Sequence, residues 1–385
     1  MSDFLPFAMP DIGDDEINEV LDSLRSGWLT TGPKTKQFEF DFSAFIGGEV
    51  YGIAVNSATA GLHLALEALG IGPGDEVIIP TYTFTATAEI IRYLHATPVF
   101  VDSDPVSWNM DPDLVEAAVT KATKAIIPVH FAGRACDMDA IISIAKKNRL
   151  FVVEDAAHAL PSTYNKCMVG SLDTDATVFS FYANKTMTTG EGGMIVTSSQ
   201  TIANRCKVMR LHGINRDAFD RYTSIKPAWY YEIVAPGYKY NMTDISAAIG
   251  IHQLKRLGQF QKKREKMAQI YNSRLSGFPI TLPGNAPEGD LHARHLYPIL
   301  LNRDSGISRD SFIKKMSDLH IGCSVHFIPL HLHPYWRDTY NLTKEMFPVA
   351  QSIYEQEISI PLYTKMTEAD QDYVIDSIKQ VFANV

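Results

Sequence analysis

Nothing in this sequence supplies a covalent or metal-built framework. Its four cysteines, Cys136, Cys167, Cys206 and Cys323, are scattered and never stand in C-x-x-C spacing. That excludes a disulfide scaffold and suits reduced, mostly buried thiols in a cytoplasm. No uninterrupted apolar run approaches the roughly 18–20 residues that span a bilayer. Met1 to Pro6 has neither a basic segment nor a long apolar one, so neither a signal peptide nor a membrane partner is predicted. Basic residues form no cluster against a net charge of −9, which argues against a nucleic-acid partner. Internal repeats, low-complexity tracts and the glycine spacings of Walker A or dinucleotide-binding loops are missing too.

What is present reads as a soluble globular chain, 45% hydrophobic and 21% charged. Its 385 residues exceed one compact unit. We expect a large domain over 1–245, which includes an N-terminal segment, and a smaller α/β domain over 246–385. From residue 52 to about 200, short apolar runs alternate with helical ones. Strands are expected at Ile53 to Val55, Glu76 to Pro80, Pro98 to Asp102, Ala125 to His130 and Leu150 to Glu154. Helices are expected at Ala60 to Leu69, Thr83 to His95, Asp113 to Val119 and Met138 to Lys147. Such alternation predicts an α/β fold with a mainly parallel sheet flanked by helices. After Asp155 the rhythm changes, because Ala176 to Phe181 and Met194 to Thr197 leave no room for a full helix between them. The Tyr-, Trp- and Pro-rich stretch from Arg216 to Tyr240 reads as a long functional loop. A helix is expected from Thr243 to about Leu275 with a break near Gly258, then strands at Leu296 to Leu301 and Gly322 to Phe327.

The chemistry concentrates where the rhythm changes. Lys185 lies between a strand and the Gly190 to Gly193 turn, and Asp155 ends a buried apolar strand thirty positions upstream. A lysine amine forms a Schiff base with the aldehyde of pyridoxal 5′-phosphate, and a strand-end aspartate keeps the pyridine nitrogen protonated. An ionised carboxylate there is costly unless paired, and ligands of α/β sheets bind beyond the carboxyl ends of strands. A helix cap is the plainer role for Asp155. Ser180 is placed to bind a phosphate through its hydroxyl, and Ser57-Ala58-Thr59 opens a helix whose first amides suit an anion. His158 either covers the cofactor ring, bonds its phenolic oxygen, or is structural. Phe84 is a candidate stacking ring. His326, His331 and His333 lack a carboxylate or cysteine to complete a zinc set, so no metal is predicted and a substrate-binding role is preferred.

With those residues assembled, the chain resembles the DegT/DnrJ/EryC1/StrS family of sugar aminotransferases from about Pro6 to its C-terminus. The likeness rests on Ser26 to Pro33, the Ser57 segment, Glu154 to His158, Phe179 to Gly193 and Gly237 to Asp244. It implies the aspartate-aminotransferase-like (type I) pyridoxal-phosphate fold, with a mixed seven-stranded sheet. It also implies Lys185 as Schiff-base lysine and proton shuttle, Asp155 on the pyridine nitrogen, and His158 beside the ring. Ala58, Thr59, Ser57 and Ser180 would hold the phosphate and Phe84 would stack. Asn241 would reach the phosphate of the other subunit of a homodimer with shared active sites. Relatives that carry histidine in place of the lysine are sugar dehydratases; this chain keeps lysine.

The expected reaction is transfer of an amino group from L-glutamate, released as 2-oxoglutarate, to C4 of a nucleotide-linked keto sugar, with UDP the preferred nucleotide. It would serve cell-surface glycan or lipopolysaccharide synthesis, and two half-reactions through one site predict ping-pong kinetics. A pyridoxal-phosphate lyase or sugar dehydratase, transamination at C3 of a dTDP- or GDP-linked sugar, and a non-enzymatic sensor stay open. Thr30, Arg210, His212, Lys239, Tyr240 and His326 are candidate contacts for the sugar or diphosphate, or else surface and packing residues.

Overall fold

The computed structural model describes residues 4–215 and 230–383; most of the expected loop from Arg216 to Tyr240 lies outside them. Seven strands form one sheet: β1 (Tyr51–Val55), β2 (Glu76–Pro80), β3 (Thr97–Val101), β4 (Thr123–Ile126), β5 (Phe151–Asp155), β6 (Ala176–Ser180) and β7 (Gly193–Thr197). Their order is β1-β7-β6-β5-β4-β2-β3. Ile53, Val77, Ile79, Ala125, Val153 and Val178 are fully buried, as expected of strands covered on both faces by crossover helices. All neighbours run parallel except β7, which is antiparallel to both β1 and β6.

That reversal matters for the site. Gly193 begins β7 and pairs with Val55 and Ser180, the last residues of β1 and β6. The chain ends of β1, β6 and β5, and the start of β7, therefore open onto one side of the sheet. A side chain at Gly193 would stand 2.8 Å from the Ala58 nitrogen and 2.9 Å from the Phe179 oxygen, so the strand can approach the Ser57 turn only as glycine.

A second sheet, β8 (Ile280–Thr281), β9 (Tyr297–Leu301) and β10 (Glu357–Ile360), is antiparallel throughout. It has its own core of Tyr271, Ile299, Phe312, Ile358 and Ile375, joined by Leu5 from the N-terminal segment. In exchange, Leu330, Trp336, Phe347 and Ile353 pack into the core of the first sheet. The helix Asp244–Leu275 runs 32 residues through Gly258 without the expected break. Gly258 has open space around it, and a mid-helix glycine costs only about 1 kcal/mol, which continuous packing on either side offsets. The expected strand at Gly322 to Phe327 is reduced to single bridges at Ile321 and Ser324, because the chain leaves the sheet there to carry His326 and Phe327 towards the first sheet.

The long helix also holds down the N-terminal segment. The helix Pro33–Ile46 has no side-chain cap of its own. Instead the buried Asp244 carboxylate accepts from the Gly32, Lys34 and Thr35 amides at 2.8, 3.1 and 2.9 Å, and from the Thr35 hydroxyl at 2.6 Å. An anion at a helix N-terminus satisfies orphan amides and complements the dipole. Asp244→Ala should destabilise the protein by about 3 kcal/mol, since several charge-assisted bonds go at once. Asp244→Asn should lose about half as much, and urea unfolding of the two variants checks the order.

Candidate active site

A cavity of about 530 Å³ opens at the strand ends, lined by Ser57, Ala58, Thr59, Phe84, Asp155, His158, Ser180, Lys185 and His326. Nine residues singled out from the sequence thus converge on one space. The helix Ala58–Ala68 begins there, and the Ser57 hydroxyl accepts from the Ala60 amide at 3.1 Å. Its own hydrogen stays available to a ligand, as does that of Ser180, whose oxygen accepts from the Tyr182 amide at 3.4 Å. Free first-turn amides and two hydroxyls make an anion site at this end of the cavity.

Asp155 lies on the sheet side. The Thr87 hydroxyl donates to its Oδ2 at 2.8 Å and the Ala157 amide to its Oδ1 at 3.2 Å. Burial pushes the carboxyl up, while Thr87, Ala157 and the Lys185 ammonium pull it back. Behind it, His130 accepts from the Cys136 amide at Nδ1 (3.1 Å), which leaves Nε2–H to donate to Glu154 at 2.9 Å. Glu154 is further satisfied by the Thr174 and Thr177 hydroxyls at 2.8 and 2.6 Å, so this fully buried polar pair is complete.

Lys185 is held down to about 8 by burial, against the attraction of Asp155. Three imidazoles surround it. His158 accepts from the Ala132 amide at Nδ1 (3.3 Å) and so carries its hydrogen on Nε2. Burial and then Lys185 push His158 well below its ordinary value, and the same two causes hold His326 down to about 4. Neutral rings beside an amine that can carry charge are what burial and that charge together favour. Phe84 is exposed at the cavity mouth, where a flat ligand would meet its ring.

Two residues were not foreseen. His295 Nε2 lies 3.4 Å from Lys185 Nζ, with its ring 4.4 Å from that of His158, and Phe327 stacks on His158 at 5.6 Å. His295 precedes β9 of the second sheet, 110 residues from Lys185, and no local pattern marks it. The remaining candidates lie elsewhere. Asn241 donates to the Thr31 hydroxyl at 2.7 Å and, with Thr31 and Arg210, lines a separate cavity of about 330 Å³. Arg210 is engaged by Glu39 and by the Ala54 carbonyl at 2.7 Å. Tyr240 stacks on Tyr238 at 5.0 Å and its hydroxyl meets His63 Nδ1 at 3.2 Å, a packing role. Lys239 and His212 meet their neighbours through backbone, the Lys239 carbonyl accepting from Asn56 at 3.4 Å and the His212 amide donating to Tyr238 at 2.7 Å. Thr30 is exposed, its carbonyl accepting from the Asp244 amide at 3.2 Å. His331 is buried between Thr81 and Gln351, at 3.0 and 3.2 Å.

An amine, a buried carboxylate and an anion site around one cavity form the donor set that pyridoxal phosphate requires, one group each for aldehyde, ring nitrogen and phosphate. The comparisons with known proteins agree. The model of the DegT/DnrJ/EryC1/StrS aminotransferase family matches residues 10–379. The spore coat polysaccharide biosynthesis protein SpsC of Bacillus subtilis is 47% identical over 380 residues, 98% of this chain and 97% of that protein. Streptococcus pneumoniae Spr1654, solved in a PLP form, superposes with a TM-score of 0.91 at 36% identity over 99% of each chain. Helicobacter pylori PseC, an aminotransferase involved in the biosynthesis of pseudoaminic acid, gives 0.91 at 27% identity over 99% of this chain and 100% of its own.

A lysine near 8 is about one-tenth uncharged at neutral pH, roughly two orders of magnitude more than an ordinary lysine near 10.4. The rate at which cofactor-free protein takes up pyridoxal phosphate should rise with pH and level off above about 8. Stopped-flow absorbance checks this; a rise continuing towards pH 10 would show an unperturbed amine.

Proposed function

The chain belongs to the DegT/DnrJ/EryC1/StrS aminotransferase family, and from that premise we propose that it moves an amino group from L-glutamate to C4 of a nucleotide-linked, most simply UDP-linked, keto sugar. It has the type I fold of the pyridoxal-phosphate aminotransferases and is a sugar aminotransferase that uses that cofactor. The observation that supports transamination is Lys185, a part-buried amine lowered to about 8 beside a carboxylate fixed by Thr87 and Ala157.

Bound pyridoxal phosphate supplies an electron-withdrawing ring that stabilises negative charge on the carbon losing its proton. Lys185 anchors it and carries that proton, since its amine can accept one and return it near neutral pH. Asp155 holds a proton at the ring nitrogen. The Ser57, Thr59 and Ser180 hydroxyls and the amides from Ala58 onward bind the phosphate. His158 would lie beside the ring, with Nε2–H free to donate to its phenolic oxygen, and Phe84 would stack on it. Donor and sugar use the same cavity in turn.

The same reading makes the protein a cytoplasmic homodimer with shared sites. Asn241, which lies away from the first cavity, would reach the phosphate at the partner's site, and Thr30, Lys239 and His212 remain candidate substrate contacts. The products would feed cell-surface glycan synthesis.

Adding L-glutamate to cofactor-loaded protein should shift the cofactor's absorption band, and one nucleotide-linked 4-keto sugar should restore it. A band indifferent to glutamate but altered by sugar would move the dehydratase reading forward. Lys185→Ala should lower turnover more than about a thousandfold while retaining cofactor; steady-state transamination by that variant would overturn the role given to Lys185.

A further inference from the structure

Glu357, the first residue of β10, is fully buried, and so is Ser359 two positions on. Successive odd positions of a strand share one face, and that face meets the segment carrying His326. The Glu357 carboxyl accepts from the His326 amide at 2.8 Å through Oε2. Its Oε1 lies 2.5 Å from the Ser359 hydroxyl, which lies 2.9 Å from His326 Nδ1. The Tyr82 hydroxyl donates to the His326 carbonyl, and Ser324 and Ser359 exchange backbone bonds at 3.0 and 2.8 Å. The imidazole is thus held by its backbone on both sides and by one ring nitrogen. Its other nitrogen, Nε2, has no hydrogen-bond partner among the described residues, and His326 lines the cavity that holds Lys185.

We infer that Glu357, acting through Ser359, sets which hydrogen His326 presents to the sugar in that cavity. The inference rests on the proposed sugar substrate, but the relay itself is a property of the resting protein. Ser359 has one hydrogen to give. With Glu357 ionised, that hydrogen goes to the carboxylate, Ser359 accepts from Nδ1–H, and Nε2 faces the cavity as a lone pair. With Glu357 protonated, the carboxyl donates to Ser359, Ser359 donates to Nδ1, and the ring hydrogen moves to Nε2. The two states differ by one proton. A proton taken up at Nε2 is matched by one passed from Nδ1 to Ser359 and from Ser359 to the carboxyl. His326 therefore meets a sugar hydroxyl as acceptor when Glu357 is ionised and as donor when it is protonated, without itself becoming charged.

The groups facing this relay are few. Arg309, Tyr82 and Cys323 act on Glu357, and Lys185, His158 and His295 lie around His326. Burial raises Glu357 to about 8, against the pull of Ser359, the His326 amide and Arg309, whereas His326 is held down to about 4. In the range between, the ring stays neutral while the carboxyl loses its proton. The donor form belongs below about 8 and the acceptor form above it.

Nitrogen-15 spectra of histidine-labelled protein read the tautomer of each ring, with His326→Asn identifying the signals. The wild-type His326 should change from Nε2–H to Nδ1–H as pH rises through about 8. In Glu357→Gln the amide oxygen keeps the His326 bond and its NH₂ donates to Ser359, so His326 should stay Nε2–H at every pH. Ser359→Ala breaks the relay and should abolish the dependence. In parallel, the KM for the keto sugar should change about tenfold across that pH range, one hydrogen bond's worth, in wild type but not in Glu357→Gln. A wild-type tautomer constant from pH 6 to 10, or one that still switches in Glu357→Gln, would overturn the relay. A switching tautomer with a pH-independent KM would overturn its action on the sugar. If no nucleotide-linked keto sugar is accepted at all, the proposed function fails, and the resting-state spectra still decide the relay.

Discussion

Lowering the cost of deprotonating one amine inside a folded protein is the constraint around which this molecule is organised. Water would hold the Lys185 proton, and burial of the amine weakens that hold. The same burial penalises other charges beside it. Asp155 alone would favour the ammonium, yet burial prevails and leaves the amine near 8, a shift worth about 3 kcal/mol. His158, His295 and His326 obey the same rule and stay neutral. Neutral imidazoles still have one donor and one acceptor each, so the cavity keeps directed polar contacts without a second charge to repel or trap the amine's proton.

The sheet makes that cavity possible by a single departure from regularity. In a wholly parallel sheet, each strand reaching this side would need a helix to return. Here β7 turns back at once, and Lys185 sits on the short connection between β6 and β7. The amine is thereby held at the rim shared by Asp155, Ser180 and the Ser57 turn. Gly193 is the steric condition for the turn, since a methyl group there would collide with the backbone of Ala58 and Phe179. The loss of one helix from the alternating pattern is thus the same event as the creation of the site.

What was legible beforehand follows from how far apart the cooperating residues lie in the chain. Lys185, Asp155, Ser180 and Ser57 each carry a local mark, a strand end or a helix start, and their meeting follows from strand alternation. The buried strands were legible for the same reason. His295, Phe327, Glu357 and Ser359 carry no such mark, because they reach the first sheet only through tertiary packing of the second. Tyr240 and Arg210 show the ambiguity in the other direction. Polar residues next to a motif look like ligand contacts, but one packs on Tyr238 and the other is spent on Glu39. Gly258 looked like a break because propensity is local, whereas a 32-residue helix buried along much of its length is decided by its packing.

The exchange of segments between the two cores bears on how the chain is made. Leu5 completes the second core, and Leu330 to Ile353 complete the first. A ribosome has released most of the second sheet's sequence before the first core can close. Until then the strands that will frame Lys185 lack part of their apolar cover. The first core therefore cannot be finished until most of the second sheet's sequence has also been made, and the nascent chain is a stage at which exposed apolar surface needs protection from aggregation.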